Sequence, residues 1–315
     1  MGKASRTKQD PDRRARVAAQ RAAEKRRQQR NRIYIAGGSI FAVIIVVVVV
    51  VLFGVNNKGP ANNSSTLTGT ALTSVVDQVT TVPPSVLDQV GTGSGAVNGG
   101  SSPLIPLKGG AVLQSSGKPE MLYMGAEYCP YCAAERWSMI VALSRFGTFT
   151  GLQTIHSAAH DGSGAAEPNP NTPTWTFVDS KFTSKYLTFV PVELDTNIPD
   201  PSTGGYTTLQ TPTSAENALL TKYDNAPYIS SSDAGSIPFV DFGNQYMVSG
   251  ASYNSSNFPS LTWAQIASDL KNPSSSVAKG VDGTANYMTA AICKMTNNQP
   301  STACDSTIQG IEKGL

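Results

Sequence analysis

The sequence predicts an α/β domain with the element order β-α-β, a long excursion and then β-β-α, carried behind one transmembrane helix. Three observations lead there. A basic leader runs into a long apolar stretch, a strand pattern runs straight into a Cys-x-x-Cys pair followed by helical spacing, and a hairpin pattern with a capped helix returns after a stretch rich in Pro and Gly.

The first 32 residues hold 12 of the 24 Lys and Arg against three acids, which leaves 12 basic and 19 acidic residues beyond them. Residues 33–55 carry no ionisable side chain other than Tyr34, and 40–53 are unbrokenly apolar. At about 1.5 Å per residue this stretch crosses a roughly 30 Å hydrocarbon core. A cleaved signal peptide has a shorter apolar core and an A-x-A-like site after it; here Gly54-Val55-Asn56-Asn57-Lys58 follows, so an uncleaved anchor is expected. Lys and Arg beside a span stay cytoplasmic. The expectation is a single-pass cell-membrane protein with residues 1–32 cytoplasmic and the main domain extracytoplasmic. Arg13, Arg14, Arg16, Lys25, Arg26 and Arg27 then face membrane lipid rather than nucleic acid.

Residues 56–102 read as an extracytoplasmic linker rich in Asn, Ser, Thr and Gly. Within it, Val76-Asp77-Gln78-Val79 and Leu87-Asp88-Gln89-Val90 flank Pro83-Pro84 as two short helical pieces expected to pack on the domain. Residues 103–315 form the expected compact domain, long enough for one substantial core. Its first elements are a strand at 111–114, a turn at Ser115-Ser116-Gly117 and a strand at 121–125. Ala133, Trp137, Ile140 and Val141 recur at helical spacing, predicting an amphipathic helix from Cys132 to about Arg145. Residues 152–157 read as the strand that completes β-α-β. An insertion at about 162–236 contains a strand around 186–194 and a helix with the capping box Thr213 and Glu216. Residues 238–242 and 245–249 form a hairpin about Gly243-Asn244, and Ser260 or Thr262 caps a helix bearing Leu261, Trp263, Ile266 and Leu270.

Four cysteines in an exported domain point to disulfide chemistry. Cys129-Pro130-Tyr131-Cys132 stands where a strand meets a helix, so unpaired N–H groups and the helix dipole favour a thiolate on the first sulfur. A thiolate is the species that attacks disulfides. Cys129, nearer the exposed end, is the expected nucleophile and Cys132 the resolving thiol. Pro130 fits the first helical turn, where its missing N–H costs nothing. Tyr131 is expected to shape the rim, and Tyr128 either to do the same or simply to pack. Half of a zinc site is the alternative, but no second Cys-x-x-Cys exists and His156 and His160 are the only histidines.

Gly125-Ala126-Glu127-Tyr128-Cys129-Pro130-Tyr131-Cys132 resembles the active site of thioredoxin-like proteins, its Pro-Tyr dipeptide being the one typical of glutaredoxins. Ser236-Ile237-Pro238-Phe239 resembles the loop of that superfamily in which a cis proline faces the redox pair and the backbone before it pairs with substrate polypeptide. The resemblance thus implies a thioredoxin-like fold with a long insertion, with Ile237 and Pro238 binding substrate. More narrowly, the anchored layout, Cys129-Pro130-Tyr131-Cys132-Ala133-Ala134-Glu135-Arg136-Trp137 and residues 237–243 resemble family 929 of the domains of unknown function over roughly 71–310. The long separation of Cys132 from Pro238 is similar to exported disulfide oxidoreductases of the DsbA type. Where thioredoxins carry a buried aspartate that assists the second thiol, this chain has Tyr123. Glu127 or Glu135 is the candidate replacement base; the competing reading is an acid that satisfies the helix start.

Cys293 and Cys304 bracket a short loop and are expected to form a structural disulfide, with an electron relay as the alternative. The functional expectation is a thiol-disulfide oxidoreductase that forms or rearranges disulfides in exported polypeptides. It needs no cofactor beyond its redox-active disulfide and no metal, and it works with a membrane redox partner. The rival readings are a copper or zinc module and a non-catalytic binding scaffold.

Overall fold

The computed structural model describes residues 66–94, 102–108 and 110–315. The basic leader and the expected span at 33–55 lie outside the described residues, and among those described no helix is long and apolar enough to cross a membrane. One unit comprises Asn63–Asp224 with Ser236–Leu315; the described residues of the other are Asn225–Gly235. Taken by itself, that short segment is a succession of turns. The N–H groups of Tyr228 and Ile229 both donate to the Asn225 carbonyl, and the Ser230 hydroxyl donates to the Asp233 carboxylate at 2.8 Å.

The larger unit opens with α1 (Gly69–Thr80) and α2 (Pro84–Val90). Val75, Val79, Val86 and Leu87 enter the main core, so the core begins well before residue 103, where composition placed the compact domain. Two short helices are marginal alone, and their apolar stripes are stabilised by packing. β1 (Ile105–Pro106), β2 (Gln114–Ser115) and β3 (Lys118–Gly125) follow. Ser116 and Gly117 turn the chain into β3 with φ of 52° and 75°, the left-handed pair that a two-residue hairpin favours.

The next helix is α3 (Pro130–Ser144). Beyond it come β4 (Thr148–Thr150), β5 (Gln153–His156), β6 (Pro173–Thr176), β7 (Lys181–Thr183), β8 (Thr188–Glu193), β9 (Asp195–Asp200), β10 (Gly205–Thr208) and α4 (Ser214–Tyr223). The chain closes with β11 (Phe239–Phe242), β12 (Tyr246–Ser249), a 3-10 turn at Phe258–Ser260, α5 (Trp263–Asp269), α6 (Ser276–Met295) and α7 (Ser306–Glu312). The expected capping box of Thr213 with Glu216 forms on α4, and of the two candidate caps for α5 it is Thr262 that serves, in a capping box with Gln265.

The main sheet has six strands in a mixed arrangement. β3 is its centre, antiparallel to β11 from Phe239↔Met124 to Phe242↔Met121 and parallel to β8 from Glu120↔Thr188 to Gly125↔Glu193. Met121, Leu122, Tyr123 and Met124 are all fully buried, which is the mark of a strand covered on both faces.

Two sequence expectations change. The strand that completes β-α-β is β8, from within the supposed insertion; the segment at 152–157 instead gives β5, which pairs with β6 in a separate two-stranded ribbon. Alternation identifies a strand but not its neighbour, whereas the consecutive apolar run Phe189-Val190-Pro191-Val192 suits a parallel pair. Second, α3 is not amphipathic, because Pro130 and every residue from Cys132 to Leu143 are buried. Its surroundings are tied to it by polar bonds: Trp137 Nε1 donates to the Pro173 carbonyl at 3.0 Å, Ser138 to Val281 at 2.9 Å and Tyr253 to Ala134 at 2.7 Å.

Candidate functional site

The antiparallel register of β3 and β11 places the end of one strand beside the start of the other. Residues 126–132 therefore meet the loop at residues 237 and 238 at one end of these two interior strands. Cys129 is the N-cap of α3, with φ −73° and ψ 121°, and its sulfur accepts the Cys132 backbone N–H at 3.3 Å. Pro130 fills the first helical position. On its other side Cys129 Sγ donates to the Ile237 carbonyl at 3.8 Å, and the Ile237-Pro238 bond is cis.

Both cysteines are free thiols. Cys129 is less exposed than expected, at 4 %, and Cys132 is at 0 %. The rim explains this: Tyr128, Tyr131, Leu194 and Ile237, each partly buried, pack against Ala126, Cys129 and Cys132. Tyr128 is itself held by a near-parallel stack on Tyr206, 4.0 Å between ring centroids. The Tyr206 hydroxyl donates to Glu167. Burial pushes the Cys132 thiol well above its ordinary range, the hydrogen bond with Cys129 adds to this, and the Arg136 charge opposes it.

Arg136 and Glu193 were not singled out from the sequence. Arg136 Nε and Nη2 fork onto the two Glu193 oxygens at 2.9 and 2.6 Å, and Nη2 also donates to the Ala126 carbonyl at 2.8 Å. Both side chains are essentially inaccessible, at 0 and 1 %. The guanidinium carbon lies 5.8 Å from the centre of the Tyr123 ring. Spacing offered a signal, since Arg136 is one helical turn beyond Cys132 and shares its face. A charged residue in a helix expected to be amphipathic reads by default as solvent-facing.

Tyr123 occupies the place of the missing acid. Its hydroxyl is buried without a hydrogen-bond partner, and burial drives the phenol well above its usual range. The ring lies over Gly125, where an added Cβ would stand 2.0 Å from the Tyr123 hydroxyl, so this face of the strand accommodates Tyr123 only beside glycine. Both candidate bases hydrogen-bond to hydroxyls of other elements. Glu127 accepts the Thr176 hydroxyl at 2.6 Å, and Glu135 accepts the Ser252 hydroxyl at 2.6 Å. Burial raises the Glu127 carboxyl, and it raises that of Glu135 to about 7.

The other cysteines form a disulfide, Cys293–Cys304, that ties the last turn of α6 to the loop before α7. Asp305 next to it caps α7 and pairs with Arg145 at 2.9 Å. Two thiols converge at the site, while among the described residues no group of three or more His, Cys, Asp or Glu stands close enough to hold a metal.

Fold and site together define a mixed α/β protein with a dithiol at a buried helix start. The chain belongs to the family described as Domain of unknown function (DUF929), whose model matches residues 109–294 and so takes in Cys129, Cys132, Pro238 and Cys293 but not Cys304. No curated protein and no solved structure matches the chain.

Proposed function

We propose that this protein is a thioredoxin-like thiol-disulfide oxidoreductase, anchored by residues 33–55 and acting outside the membrane on exported polypeptides. The observation that carries the reading is the environment of Cys129 Sγ: the N–H of Cys132 on one side and the carbonyl of Ile237 on the other. The first is a backbone donor of the helix start that meets the sulfur directly. The second is main chain from the loop that leads into β11, positioned beside the reacting sulfur where a polypeptide can align. With β8 as the second strand, β3-α3-β8 and β11-β12 followed by helix also fit the β-α-β and β-β-α halves of the thioredoxin layout.

In the oxidising direction a substrate thiolate attacks Cys129 of the Cys129–Cys132 disulfide. Cys132 leaves with the electron pair and takes up a proton, and a Cys129–substrate disulfide forms. A second substrate thiolate then attacks the substrate sulfur and releases Cys129, so the substrate loses two electrons and the protein gains them. The proposed direction is oxidation or isomerisation, because Tyr123 stands where the thioredoxin-type buried acid would assist reduction. The chain must then be reoxidised, and a quinone-linked membrane partner is the class of oxidant that an anchored domain can meet.

The test is trapping. Cys132→Ser should accumulate mixed disulfides on Cys129, while Cys129→Ser accumulates none. Equal trapping by the two variants removes the assignment of roles.

A further inference from the structure

We propose that Arg136 is the positioning residue for Cys132: its guanidinium, locked by Glu193 and the Ala126 carbonyl one helical turn beyond the thiol, supplies the fixed charge that stabilises the Cys132 thiolate. The inference rests on the redox reading of the site and identifies what replaces the acid that Tyr123 displaces.

Four observations support it. Cys132 and Arg136 are four residues apart on α3, hence on one face, and both are fully buried. The fork onto Glu193 and the bond to Ala126 fix the guanidinium plane. Nη1 is left buried without a protein acceptor, so its two N–H donors are uncommitted. Finally, a buried ion pair is seldom better for stability than apolar residues of the same volume, which leaves proximity to the redox pair as a reason for its presence.

The groups bearing on this thiol come from each neighbouring element. Cys129 lies at the helix start, Arg136 on the helix itself and the Ala126 backbone in the preceding loop. Around Arg136 stand Glu193 of β8, Tyr123 of β3 and Glu127. Glu135 and Asp282 act on Tyr253. Arg136 is the one cation in the set; Glu193 offsets part of its charge, and in a buried site what remains is little screened by solvent.

The charge serves both directions of exchange. When a mixed disulfide is resolved, Cys132 gives up its proton and bonds to Cys129 Sγ; the Cys129–substrate bond breaks, and the leaving sulfur takes the electron pair and the proton. When the Cys129–Cys132 disulfide is opened, Cys132 is the leaving group. In each case negative charge passes through Cys132 Sγ.

The experiment titrates Cys132 in the full chain carrying Cys129→Ser, by ultraviolet thiolate absorbance against pH. Glu193→Gln leaves the guanidinium uncompensated and should raise the acid dissociation constant of Cys132 by about tenfold or more. The double variant Arg136→Met with Glu193→Gln keeps volume without stranding a charge and should lower that constant by about tenfold. Arg136→Lys should stay nearer the parent than the double variant does. A merely structural pair would not give shifts of opposite sign. Equal titration of parent and double variant, or a shift of the same sign in both Glu193 variants, overturns the proposal. Should Glu193→Gln not fold, the double variant against the parent decides. The titration needs no substrate, so its outcome is separate from whether the parent turns over disulfides.

Discussion

Asp282 is fully buried within α6, and neither of its carboxylate oxygens has a hydrogen-bond partner. Burial pushes its carboxyl from 3.8 up to about 8. Through that interval the folded chain keeps a proton that the unfolded chain has released, so the unfolding free energy falls as pH rises and stops falling above about pH 8. At about 1.4 kcal/mol per pH unit the whole interval is worth roughly 6 kcal/mol. Relaxation and water entry reduce such penalties, which makes about 3 kcal/mol a working value. Asp282→Asn has no proton to lose and removes this part of the slope, while its buried amide still costs on the order of 1–3 kcal/mol if unpaired. The variant should match or fall below the parent near pH 5 and overtake it by about 2 kcal/mol above pH 8, allowing for these opposing costs. Denaturant unfolding of the full chain at the two pH values measures this. Glu135 and Asp241, both raised to about 7, contribute to the parent slope in either case, so the difference between variant and parent is the quantity to read. Parallel stability curves across the range would refute the reasoning.

The Cys293–Cys304 disulfide closes a loop with a sequence separation of 11. Replacing both residues with Ser should cost about 3 kcal/mol by the chain-entropy account and lower the melting temperature, with disulfide turnover by the folded protein retained; loss of turnover at unchanged melting would instead indicate a relay. On topology, a reporter active only outside the cytoplasm should work after Leu315 and fail after Arg30, and the reverse pattern would contradict the proposed location.

Elements written in local chemistry were legible in the sequence. The capping box at Thr213, a cap at Ser260 or Thr262, the Gly243-Asn244 hairpin and the dithiol at a helix start each depend on residues a few positions apart. Partnerships between distant segments were not. Residues 153–156 and 188–193 both carry strand signals, and only tertiary packing decides that the second lies beside β3. The same limit hid Glu193 under α3, because the charge that neutralises Arg136 comes from a strand 57 residues away. Tyr123 departs visibly from the thioredoxin pattern, but the consequence, a phenol over Gly125 beside a buried guanidinium, depends on that distant partner.

The central claim is that Cys129 and Cys132 exchange electrons with substrate sulfur, and the most direct measurement is stoichiometric transfer. Purified full chain, with the pair oxidised, is mixed with a reduced peptide dithiol, and peptide disulfide and newly alkylatable cysteines are counted by mass. The account predicts one peptide disulfide per chain, with Cys129 and Cys132 becoming alkylatable and Cys293 and Cys304 remaining joined. Absence of transfer from the oxidised chain, or transfer that persists in Cys129→Ser, would contradict it.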